Sequence, residues 1–388
     1  MDMSIHPDRM GFTLLLGCLA GLPALSIDMG LPGLPQVQAE FGIDAPSVAL
    51  TLSYFMVGFG LSQLVIGLLS DRVGRRQVLI GALGLYSIGG LVSGLAPTIG
   101  VLLLGRTIQG AGAAGGAVLA LAVVRDLFEG EVARARLATI SLVFSLAPVI
   151  APSLGGVILG WAGWRAIFAF QAVTGLVLLG VVAMVLCETR RPVRPGRLSA
   201  IMREPRTLAF GLVGALNLAT VFCFVSGAPL VLLGTMGLST AQFGWVFALI
   251  ASGVIGGAAI NRFVSNRGWG AAWPLGFGLV GAMMATGAGM LLAGHLTLPV
   301  LLPLFMMITL SRGLVNPNVT HAALERIPHM AGAGSALIGA MQMLTGALAG
   351  FIVGMMFDRF GPLGVIIAMA GFAIPAVIAW IHVERTYR

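Results

Sequence analysis

The chain has 388 residues, 58% of them hydrophobic and only 9% charged, and its mean hydropathy is +1.00. A soluble fold of that length would have to cover its surface with hydrocarbon, so composition excludes one. The net charge of +8 invites a nucleic-acid partner, but all 22 basic residues are Arg and their placement follows a membrane topology instead.

A membrane-spanning helix needs about 20 apolar residues. Apolar runs between charged, Pro and Gly breaks predict twelve, over 11–31, 46–69, 77–96, 99–124, 137–160, 166–187, 208–233, 241–261, 271–293, 298–320, 331–355 and 361–382. Span 1 follows Arg9 and has small residues near Ala24 and Ser26, but its length reads as an uncleaved span rather than a signal peptide. Spans 2 and 3 are joined by Gly67-Leu-Leu-Ser-Asp71-Arg72-Val-Gly74-Arg75-Arg76, one acid and three cations in a tight turn. Span 4 carries Arg106 and Gln109 inside Leu102-Leu-Leu-Gly-Arg106-Thr-Ile-Gln109-Gly110-Ala-Gly112. Span 5 carries Ala147-Pro148-Val-Ile-Ala151-Pro152-Ser-Leu-Gly155-Gly156. A Pro- and Arg-rich linker, Glu188 to Arg206, separates spans 6 and 7, and span 10 holds Arg312 in mid-course. The 56 Gly suit close helix packing in lipid.

With the N-terminus inside, eighteen Arg fall in inside segments, Arg165 and Arg359 fall outside, and Arg106 and Arg312 lie within spans. That asymmetry is the positive-inside pattern for twelve spans with both termini cytoplasmic. The chain also repeats. Leu154-Gly-Gly-Val-Ile-Leu-Gly160 aligns with Leu348-Ala-Gly-Phe-Ile-Val-Gly354 at an offset of 194, which sets Arg165 on Arg359. Asp71-Arg72-Val-Gly74 has a faded counterpart in Asn266-Arg267-Gly268. Two six-helix halves follow, 1–187 and 207–388, joined by the linker 188–206. The expected fold is an all-α membrane protein of two pseudo-symmetric six-helix bundles.

The loop after span 2 resembles that of major facilitator transporters, and the span 4 sequence resembles their signature with a membrane-embedded Arg near the coupling site. The span 5 Pro/Gly run is similar to the signature of drug:proton antiporters, with Ala151 where Gly commonly precedes Pro. Ile27-Asp28-Met-Gly-Leu-Pro32-Gly-Leu-Pro35 looks like the end of helix 1 in the bicyclomycin/chloramphenicol resistance branch. The resemblance covers the whole chain. It implies proton-driven efflux of small drugs or metabolites across the bacterial inner membrane, by a monomer in the bilayer, with no cofactor, no metal and no nucleic-acid partner.

Candidate residues follow. Asp28 is the only acid deep in a span of the first half, and a carboxylate in lipid must be paired or neutralised. It is read as the proton-coupling acid, the alternative being a helix-end residue bonded to backbone freed by Gly30 and Pro32. Arg106 keeps its charge and needs an anionic or carbonyl partner. It is read as biasing Asp28, or else as a lock between spans 1 and 4. Tyr54, Gln109 and Arg312 are candidate substrate contacts. The offset of 194–196 sets Arg106 against Leu301, so Arg312 reads as no repeat copy: it either favours an anionic or carbonyl-rich substrate or snorkels towards Glu325. Gly67, Asp71, Arg72, Gly74, Arg75 and Arg76 are assigned to gating: the glycines permit the tight turn and Asp71 suits the positive start of a neighbouring helix, which the resemblance implies is span 11 near Gly332 to Ser335. Pro148, Pro152, Gly155 and Gly156 form the span 5 motif. The five His are scattered and no phosphate loop of the Walker type is present, so an enzyme is the weaker reading. A metabolite carrier of the same fold is the nearest rival.

Overall fold

The computed structural model describes residues 10–189, 201–268, 270–327 and 330–387. Most of the predicted linker, 190–200, lies outside the described residues. The helices are α1 (Met10–Asp28), α2 (Leu34–Phe41), α3 (Ala45–Val73), α4 (Arg75–Gly94), α5 (Ile99–Leu127), α6 (Gly130–Val185), α7 (Pro205–Ala228), α8 (Thr240–Asn266), α9 (Ala272–Leu291), α10 (Leu298–Leu324), α11 (Ala331–Phe360) and α12 (Pro362–Tyr387). Among the described residues eleven helical segments are long and apolar enough to cross a membrane. One of them, α6, has 56 residues, about 84 Å at 1.5 Å per residue, far more than a hydrocarbon core of about 30 Å. It breaks at Gly163, where φ is 76° and ψ 179°, a backbone that only glycine adopts readily. The count is therefore twelve passes, with ends within a few residues of the predicted spans.

Span 1 departs from expectation. It stops at Asp28, and a 3-10 turn (Leu31–Gly33) and the short α2 intervene before α3. Pro32 and Pro35 lack the N–H that would continue α1, and each sits at the start of a new helical segment instead. Asp44 then caps α3 by accepting from Ser47 N at 2.9 Å.

In the first half α5 packs on α1, α3 and α4, while α6 packs on α1 and α4. In the second half α10 packs on α7, α8 and α9, and α12 packs on α7, α9 and α11. Helix contact without a hydrophobic drive depends on close backbone approach. Between the halves α3 runs along α11 and the first segment of α6 along α8. The clearest of these contacts lie at the arginine-poor end. A Cβ on Gly354 would stand 2.6 Å from the Cα of Pro46, and one on Gly156 would stand 3.6 Å from the Cβ of Thr240. Ser53 donates to the carbonyl of Ala347 at 2.8 Å across the same seam. Towards the arginine-rich end Gln63 meets Gly339, whereas nothing lies within 4 Å of a Cβ on Gly67. The halves are thus sealed at the arginine-poor end.

Candidate functional site

The interior of the first half holds a polar core. Arg106 on α5 is 2% exposed and Gln109, one turn on, is fully buried. Arg106 donates from Nη1 to Gln109 Oε1 at 2.6 Å, from Nη2 to the Ser26 carbonyl at 3.3 Å and from Nε to the Thr51 carbonyl at 3.4 Å. Its Cζ lies 4.4 Å from the ring centre of Phe55 and 5.4 Å from that of Phe168, so aromatic faces supply part of the negative potential that no carboxylate provides. Gln109 Nε2 donates to Gln171 Oε1 at 2.8 Å, and the Ser26 hydroxyl shares a 2.6 Å hydrogen bond with Tyr86. Five spans are thereby tied to one guanidinium.

Asp28 ends α1 two residues beyond Ser26 and is 5% exposed. Among the described residues no ion pair or hydrogen bond reaches its side chain, and Arg106 touches span 1 through the Ser26 carbonyl rather than through this carboxyl. A carboxyl enclosed by apolar helix and facing no cation is costly to keep ionised.

The second half repeats this architecture in a different register. The Phe55 carbonyl occupies the space of a Cβ on Gly110, as the Val254 carbonyl does for Gly313; Thr107 crowds Gly58 as Leu310 crowds Gly257. These packing pairs set Thr309 at the place of Arg106 and Arg312 at the place of Gln109. Thr309 accordingly donates to the Ile250 carbonyl, the counterpart of Thr51, at 2.5 Å. Arg312 is therefore no copy of Arg106 but takes the place of Gln109, and the expected match of Arg106 with Leu301 is corrected to Thr309. The register changes because Gly58 stands sixteen residues before the turn glycine Gly74, whereas Gly257 stands eleven before Gly268. Helix contacts and loops keep separate offsets. Arg312 donates to Gln342 Oε1 at 2.8 Å and to the Gly214 carbonyl at 3.4 Å. Glu325 is paired with Arg206 at 2.6 Å instead.

At the arginine-rich end the loop after span 2 is held by its own half and by Glu188, the first residue of the linker. Arg75 is 8% exposed. It bonds Asp71 at 2.6 Å and Asp126 at 3.0 Å, and its backbone N–H donates to Glu188 at 2.8 Å. The Arg76 N–H donates to the other Glu188 oxygen at 3.2 Å, and the Arg76 guanidinium to the Ala183 carbonyl at 2.7 Å. Glu188 thus caps the start of α4, where the helix dipole favours a carboxylate. It occupies the side-chain space that Gly74, at φ 124°, leaves empty. Asp71 is thus paired with the guanidinium one turn away, and among the described residues no hydrogen bond or ion pair joins it to α11.

Pro148 and Pro152 lie inside α6, Gly155 packs against the Met29 backbone and Gly156 against Thr240, so the span 5 motif forms part of the seal. Tyr54 is 43% exposed, at helical spacing from Leu61 and Val65 on a face that lipid would cover. It is directed away from the polar core, while its neighbour Phe55 meets Arg106. Ser26, Thr51, Phe168, Gln171, Asp126, Glu188 and Gln342 were not among the expected residues. The buried amides Gln171 and Gln342 had a signal, each being an isolated polar residue within an apolar span; carbonyl acceptors such as those of Ser26 and Thr51 leave none.

A family model for the Major Facilitator Superfamily matches residues 16–350. An uncharacterized MFS-type transporter, YdgK of Bacillus subtilis, is 30% identical over 377 residues, covering 92% of each chain. A bicyclomycin resistance protein homolog of Haemophilus influenzae is 28% identical over 95% of each chain. A chloramphenicol resistance protein of Pseudomonas aeruginosa is 31% identical over 74% of this chain and 67% of its own. Among solved structures, a bacterial homolog of the human lysosomal transporter Spinster, crystallised inward-facing and occupied, superposes with a TM-score of 0.78 at 18% identity over 99% and 98% of the two chains. Twelve passes in two packed halves and a family match across most of the length agree: this chain is a multi-pass membrane transporter of the major facilitator superfamily.

Proposed function

We propose that the chain exports small drugs or metabolites from the bacterial cytoplasm in exchange for protons. In this reading it acts as a monomer in the inner membrane, with both termini cytoplasmic and with halves 1–187 and 207–388 joined by the cytoplasmic linker 188–206. Relatives named for bicyclomycin and chloramphenicol resistance support export, and the arginine distribution supports the orientation.

The observation that carries the exchange is Asp28, a buried carboxyl without a cation at the sealed end. Opening that end to outer solvent loads the carboxyl with a proton, and the seal of Gly156 on Thr240 then closes over the neutral acid. Arg106 holds the span 1 backbone beside it through the Ser26 carbonyl, so movement of span 1 is felt at both groups. Gly67, Asp71, Arg72, Gly74, Arg75 and Arg76 act in gating. Arg75, released from Asp71, would leave that carboxylate for the start of α11 when the arginine-rich end closes.

Everted membrane vesicles test the reading. Uptake of chloramphenicol is expected to require an imposed pH gradient, to collapse with a protonophore and to ignore ATP. Uptake that persists without the gradient, or follows ATP or sodium, rules the exchange out.

A further inference from the structure

We infer that Arg312, Gln342 and Asn316 form a subsite for an anionic group of the transported molecule, a carboxylate or a similar oxyanion. The inference rests on the transport reading and adds to it the chemical class of the cargo.

The first ground is charge. Among the described residues Arg75 and Arg165 are ion-paired with acids, as is Arg206. Arg312 is not: its two partners are the neutral carbonyl of Gly214 and the neutral amide oxygen of Gln342. A guanidinium has five N–H donors in a planar fork that matches an oxyanion. Most of them are unused here, and a cation within a membrane span needs a counter-charge. Arg106 likewise has no acid partner, but it is 2% exposed and has three oxygen acceptors and two aromatic faces around it. One embedded arginine is enclosed and bonded from all three of its nitrogens, the other is half-buried with two neutral acceptors.

The second ground is position. On α7, Gly227 meets α12 through Val365, whereas Gly211 meets α11 through Met341 and Gly214 stands between Val319 of α10 and Gln342 of α11. Gly214 therefore lies on the side of α7 away from α12, and Arg312 crosses that side to reach Gln342. On α11 the same face is turned to the first half, since Gly346 meets Met56 and Gly339 meets Gln63. The three residues thus sit on the flank of the second half that adjoins the first, with Arg312 and Asn316 partly exposed there. Gln342 Nε2 points to Asn316 Oδ1 at 3.5 Å, so the amide pair is loosely joined and free to turn its donors to a ligand. Gln63 of the other half, with its Oε1 buried and unbonded, lies against Gly339, about one turn along α11 from Gln342.

The test uses the purified full-length protein in lipid nanodiscs. Binding of 2-naphthoate and nalidixate is compared with that of their esters and of 2-naphthylmethylammonium, by thermal unfolding across a concentration series. Each carboxylate is expected to bind about tenfold or more tightly than its ester, the usual scale of a charge-assisted hydrogen bond, and the ammonium least. Arg312→Gln is expected to bring the carboxylates to the level of their esters, and Arg312→Lys to restore part of the preference. Gln342→Leu is expected to weaken the carboxylates several-fold and to leave the esters unchanged. Equal binding of acid and ester by the unmodified protein, no binding of either carboxylate, or a preference that survives Arg312→Gln overturns the subsite. If Arg312→Gln does not fold, a Lys variant with no preference at all does the same. Vesicle uptake without carboxylate selectivity fails the subsite alone, whereas selectivity without proton-driven uptake fails the transport reading alone.

Discussion

Two embedded arginines a few residues apart in register differ in burial and in the number of their partners. Arg106 is a structural hub: its fork engages the Thr51 and Ser26 carbonyls and Gln109, and a lysine would meet at most part of that geometry. Asp28 beside it has no such partners. Asp28→Asn keeps the shape and loses the exchangeable proton, so the variant is expected to bind cargo while uphill uptake falls to the level of vesicles without protein. Arg106→Ala is expected to impair uptake as well, by freeing the carbonyls that hold span 1. Tyr54→Ala is the contrast, expected to keep uptake within about twofold because its side chain faces outward. Radiolabelled uptake in parallel with a binding assay separates these outcomes, and an Asp28→Asn protein that still concentrates cargo moves the proton site elsewhere.

At the scale of elements, the turn between α3 and α4 is built around an absence. Gly74 has φ 124° and ψ 149°, a region that costs a side chain about 1–3 kcal/mol, and the Glu188 carboxylate fills the space a Cβ would take. Gly74→Ala is expected to lower the unfolding midpoint. Adding Glu188→Ala is expected to recover only the steric share, since backbone strain remains and the cap on Arg75 and Arg76 is lost. Full recovery in the double variant would show that the backbone conformation is not strained.

For the whole molecule, the decisive feature is a seal between halves that must open for transport. A Cβ at Gly156 would lie 3.6 Å from the Cβ of Thr240, within the usual span of a disulfide. Gly156→Cys with Thr240→Cys, in a protein lacking Cys18, Cys187 and Cys223, is expected to crosslink under mild oxidation. Uptake should stop and return with reductant. Uptake that continues in the crosslinked protein would mean that this seam does not open during the cycle.

Sequence alone determined what depends on the solvent and on local chemistry. Twelve apolar runs, the arginine asymmetry, the charged turn and the lone acid at Asp28 are legible because hydrocarbon tolerates so few residue types that each exception stands out. Proline and glycine marked most helix ends for the same local reasons, although Pro32 and Pro35 start a separate short helix that periodicity did not reveal. Only the tertiary structure decided what faces what. It turned Tyr54 outward and Phe55 inward, one residue apart on the same helix, and it paired Asp71 with Arg75 rather than with the start of α11. It also showed that loops and packing glycines repeat at different offsets, so that Arg312 stands where Gln109 stands in the other half. Partners of that kind are set by helix rotation and by backbone carbonyls brought together in space, and neither is written in the identity of the residues along the chain.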